Sequence, residues 1–134
     1  VRQIIPFKEG SYLVESALLV TPNQRAVALA ETVVEVFNDG LGTRQMQGKA
    51  LVRNALVVEL MEDEEHCDLL LDFGPGFRYR LHQPKVNAGK VFHPATRSTL
   101  RFAPDGPLEA LNDAEFDRQT AALHWVELAS SERA

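Results

Sequence analysis

The segment from Lys49 to Phe102 contains several runs that alternate apolar and polar residues at period two, separated by connections of only a few residues. Phe77, Tyr79 and Leu81 alternate with Arg78, Arg80 and His82, and Ser98, Leu100 and Phe102 alternate with Arg97, Thr99 and Arg101. Successive strand side chains point to opposite faces, so each run has one face for a core and one for water. Such short links leave no room for the crossover of a dozen or more residues that parallel neighbours need, which predicts antiparallel pairing. Gly74-Pro75-Gly76 marks a tight turn, and Glu62-Asp63-Glu64-Glu65 reads as a solvated hairpin between a long strand (Lys49 to Met61) and a returning one (Cys67 to Phe73).

On either side of this block the reading changes. Ser11 to Val20 is rich in aliphatic and β-branched residues and predicts a strand. Thr21-Pro22 then carries a helix-start signal, with Thr21 as N-cap and Pro22 in the first turn. Ala26, Ala30, Val33, Val34, Phe37 and Leu41 fall on one stripe at helical spacing, and Gly40 and Gly42 suit a helix stop. The spacing predicts a long helix packed on the sheet through Val27 or Ala30, Val33, Val34 and Phe37. Asn112, with Glu115 three residues on, reads as an N-terminal cap for a closing helix to about Ala129, which carries Phe116, Leu123, Trp125, Val126 and Leu128. The expected fold is therefore α+β: one compact domain over residues 1–134, element order β-α-β-β-β-β-α, with an antiparallel sheet of about five to six strands. This order of a strand, a long helix and then antiparallel strands resembles that of the hot-dog thioesterases. The resemblance implies a small enzyme on an anionic or thioester substrate, and it extends to no motif residue.

Composition narrows the class. At 134 residues, 45% hydrophobic and 25% charged, the chain can bury a core without metal or disulfide staples. No apolar run approaches the roughly 20 residues of a membrane helix, and the first residues lack the apolar run of a signal peptide. The single cysteine, Cys67, predicts a reducing compartment and hence a cytoplasmic protein. No phosphate loop, dinucleotide fingerprint, zinc-protease helix or nucleophile elbow occurs, so no cofactor is implied and no catalytic residue is assigned. His66, Cys67, Asp68, His82 and His93 lack metal-ligand spacing, and no metal site is expected. Acidic neighbours argue against a reactive Cys67 thiolate.

Charge is unevenly distributed. Seven acids and no Lys or Arg lie between Glu59 and Asp72, whereas Phe73 to Pro104 holds six cations and no acid. Seven acids against Arg118 and Arg133 follow from Asp105 onward. Parity places Arg78, Arg80 and His82 on one face of their strand, and Arg97 and Arg101 on one face of theirs. If the two strands are neighbours, these five form a basic face suited to a phosphate or carboxylate. The competing reading is that the same charges pair with acids of the same domain. The function expected is a non-enzymatic binding or assembly domain that docks an anionic or macromolecular partner through this face. Nucleic acid is disfavoured by the net charge of −5 and by the placement of Phe77 and Tyr79 opposite the arginines. The apolar residues at the chain's end suggest self-association as a homodimer, through the closing helix or a sheet edge.

Overall fold

The computed structural model describes residues 8–53, 67–87, 97–106 and 108–125. Strands take 61% of these residues, and the long helix expected after the first strand is absent. The elements are β1 (Gly10–Leu13), β2 (Ser16–Val20), β3 (Arg25–Asn38), β4 (Arg44–Arg53), β5 (Asp68–Asp72), β6 (Arg78–Leu81), β7 (Lys85–Asn87), β8 (Arg97–Ala103), β9 (Leu108–Leu111), helix α1 (Asp113–Ala121) and β10 (His124–Trp125). The described residues are thus predominantly β with one helix of appreciable length, and the α+β expectation is corrected. The correction also removes the element order that suggested a hot-dog enzyme.

The difference lies in β3. The residues whose spacing predicts a helix form a 14-residue strand, the longest in the structure. Val27 and Leu29 face the same core as Val34 and Val36, although the first pair is odd and the second even. The change of parity is made by a β-bulge: the β3–β4 register shifts between Ala30 and Val33, and Glu31 adopts φ 48°. An extra residue at such a point moves all later side chains to the opposite face. Of the residues on the expected helical stripe only Ala26 and Val34 are buried; the buried set of β3 is Ala26, Val27, Leu29, Thr32, Val34 and Val36. The Thr21-Pro22 signal belongs to a hairpin turn instead. Gln24 donates its N–H to the Thr21 carbonyl, and the Thr21 hydroxyl accepts the Arg25 N–H at 3.0 Å. Phe37, expected in the core, is 40% exposed on the far side of β3.

The strands run in the order β7-β8-β4-β3-β2-β5-β6-β9, neighbours antiparallel, with β1 and β10 also on β3. The ten-stranded sheet is curled, and β3 belongs to both of its parts. Its first residues pair with β2 and its later ones with β1 and β4. Inward side chains from both parts, among them Leu19, Val34, Leu69, Leu71, Leu100 and Phe102, meet in one core. Gly48 is required there: it stands opposite Phe102, whose ring occupies the space a Cβ would need.

The β2-β5-β6-β9 part is covered on its other face as well. Leu18, Val20, Ala26, Leu70 and Leu111 form a second cluster with Phe116 of α1 and Leu123. Burial on both faces accounts for the unbroken apolar runs Ala17–Val20 and Leu69–Leu71. Helix α1 begins as the cap signal predicts, with the Asn112 side chain accepting the Glu115 N–H at 2.7 Å. It ends at Ala121 rather than near Ala129, and Trp125 lies on β10, parallel to the start of β3. No helix of the described residues is long and apolar enough to cross a membrane. The expected turn at 62–65 lies outside the described residues.

Candidate anion-binding face

The curled sheet separates the five residues that the sequence groups together. Arg78, Arg80 and His82 stand on or just after β6, and Arg97 and Arg101 on β8. In the strand order β6 and β8 have β4, β3, β2 and β5 between them. The two sets therefore do not converge on one face.

The β6 set is engaged within the domain. Asp72 is directly opposite Arg78 across the β5–β6 pair, and the Arg78 Nε donates to its Oδ1 at 3.1 Å. The same guanidinium reaches Asp113 at the start of α1, also at 3.1 Å, and stacks 4.7 Å from the Phe116 ring centre. The hydrogen bond to Asp72 is the largest influence raising this guanidinium's pKa above its ordinary value. Arg80 donates through Nε to Asp68 Oδ2 at 2.8 Å and through a terminal nitrogen to Gln119 Oε1 at 2.7 Å. His82 lies between two carboxylates, with Nδ1 3.3 Å from Asp68 and Nε2 2.6 Å from Glu109. These cations tie β5, β6, β9 and α1 together. Tyr79, on the opposite side of β6, is in the core, whereas Phe77 is exposed beside the turn.

The β8 set has different surroundings. Arg101 is exposed on the outer face of the β1-β3-β4-β8-β7 part, directly across from Lys49 on β4. Neither side chain makes an ion pair or hydrogen bond among the described residues. Arg97 is in register with Arg53 at the far end of the β4–β8 pair. Lys85 on β7 brings a further ammonium, 4.0 Å from Asp105. Lys49, Arg101 and Lys85 line an open groove of roughly 330 Å³, together with Gln47, Asn87 and Glu35. Like charges directly opposite on a sheet repel, so the Lys49–Arg101 pair is a cost unless an anion joins it. An arginine fork beside a lysine ammonium offers that anion both planar and point-charge donors.

Lys49 is the residue that sequence reasoning misses. Its signal is present in the alternation of Gln45, Gln47, Lys49 and Arg53 with Met46, Gly48, Ala50 and Val52, which Leu51 alone interrupts. Starting the strand at Lys49 rather than Arg44 hides that pattern. Among the described residues no group of three His, Cys, Asp or Glu is arranged to hold a metal ion, and Cys67 lies in the core. His66 and His93 are outside the described residues. No family model, curated protein or solved structure matches this chain.

Proposed function

We propose that the chain is a non-enzymatic binding domain that docks an anionic partner on the outer face of β3, β4, β8 and β7. Arg101 is carried over from the sequence expectation and joined by Lys49 and Lys85, whereas Arg78, Arg80 and His82 serve the fold. One observation carries this reading: the Lys49 and Arg101 side chains face each other beside a groove that Glu35 also lines, and among the described residues neither forms an ion pair with an acid. Nucleic acid fits less well, because the chain carries a net charge of −5 and Tyr79 is in the core rather than on a stacking surface. A cytoplasmic location, argued from the single cysteine, belongs to the same proposal.

The double change Lys49→Gln and Arg101→Gln tests the reading. Relief of cross-strand repulsion should leave urea stability equal or raised by up to about 1 kcal/mol. Binding of pyrophosphate, followed calorimetrically, should weaken about tenfold or more, and the wild-type affinity should fall as salt is added. A clear stability loss with unchanged binding would make this pair structural.

Self-association is the second part of the proposal. Trp125, 53% exposed on β10, and the outer edge of β1, which pairs only with β3 among the described residues, are the surfaces a second copy would use. Sedimentation should report a dimer, and a monomer throughout the micromolar range would remove this part.

A further inference from the structure

The outer face has an order that charge alone does not describe. Leu13 is in register with Val33, Val33 with Lys49, Lys49 with Arg101, and Arg101 with Asn87. One row across five strands thus passes from two apolar side chains to two cations to an amide. Leu13 is 81% exposed, and further along the same side of β3 the exposed Glu35 stands between Val33 and Phe37. A bare inorganic anion would use the cationic half and leave the apolar half wet.

We propose that the ligand of this face is a protein segment in polyproline-II conformation that places an apolar side chain on Leu13 and Val33 and, three residues later, an anionic side chain between Lys49 and Arg101. This rests on the reading that the face takes anions, and it adds what the rest of the partner must be. The spacing is the argument. Neighbouring strands are about 4.8 Å apart, so the centre of the apolar pair lies two spacings, about 9.6 Å, from the centre of the cationic pair. In polyproline II, residues three apart share a face and are separated by about 9.3 Å. Residues two apart on a β-strand share a face at only about 6.7 Å, which falls short. The charge is complementary, since an anionic side chain supplies what the Lys49–Arg101 pair lacks. The groove also presents the amide of Gln47 beside Lys49, a donor and acceptor suited to a peptide backbone. A lipid chain would need an enclosed apolar channel, and here Leu13, the outermost residue of the apolar pair, is 81% exposed.

The test uses the full chain and short fluorescent peptides bearing Leu and an anionic residue at separations of two, three or four, with Glu or phosphoserine as the anion. Anisotropy should favour a separation of three, and the preferred anion distinguishes a carboxylate from a phosphate partner. Leu13→Ser, a change at an exposed position, should weaken this peptide roughly fivefold or more and leave pyrophosphate binding unchanged. Lys49→Gln with Arg101→Gln should weaken both. Peptide binding indifferent to Leu13 and to spacing, with pyrophosphate still bound, would overturn this inference and leave the anion-binding reading in place. Preferential binding of a medium-chain fatty carboxylate would overturn it in favour of a lipid ligand. Failure to bind either pyrophosphate or peptide would remove the anion-binding reading itself, and this inference with it.

Discussion

Leu19→Ala should destabilise the protein by about 2–5 kcal/mol, a loss well beyond that of any change on the outer face. Leu19 is 1% exposed on β2, which is hydrogen-bonded on both sides, to β3 and to β5. Its side chain enters the core shared by the two parts of the curled sheet, where it meets inward residues of β3, β5 and β6. Removing it takes away apolar burial and leaves a cavity in the middle of a hydrogen-bonded sheet that cannot easily close around it. A domain of this size has only about 5–15 kcal/mol of stability in total, so the variant should unfold at a much lower urea concentration with an unchanged slope. A midpoint equal to wild type would mean that the two parts of the sheet do not share a core.

Arg80→Gln should cost about 2–3 kcal/mol, in contrast to the neutral or stabilising effect expected of Arg101→Gln. The Arg80 guanidinium and the Asp68 carboxylate are each only 18% exposed, and Gln119 of α1 takes another of the guanidinium's hydrogens. Removing the cation leaves Asp68 partly buried with one charged partner fewer, which costs more than the pair itself contributes. The figure stays below that for a fully buried pair because water still reaches both groups. Chemical denaturation of the two single variants separates the roles. Equal losses for both would contradict the division between a structural β6 set and a β8 set that is free to bind.

Local signals in the sequence lead to the observed element where one principle dominates. The Asn112 cap, the Gly74-Pro75-Gly76 turn, and the alternation around Tyr79 and Leu100 are of this kind. In β3 two signals conflict. Val27, Thr32, Val33, Val34 and Val36 give it the β-branched content of a strand, whereas its spacing suggests a helix. No period-two pattern survives a bulge, so periodicity is the wrong arbiter at that point. The candidate face is half legible for a related reason. Parity correctly groups residues within a strand, but which strands become neighbours depends on pairings across the whole chain. Arg80 and Arg101 look equivalent in the sequence. They differ because Asp68 is one strand away from the first, whereas Lys49 is one strand away from the second.

The bulge at Glu31 also bears on which changes of length this chain can absorb. The two segments of β3 are like combs set one tooth out of step, and both meet the same core only because of that offset. Deleting a single residue there would bring the combs into step and turn Val34 and Val36 outward while Val33 and Glu35 turned in. The groove would lose Val33 and Glu35 from its wall through the same event, so core and binding face are indexed by one count of residues. At the exposed Glu31 many side chains could be exchanged without harm, provided the backbone tolerates a positive φ there. It is the number of residues between Leu29 and Val33, more than their identity, that must be kept.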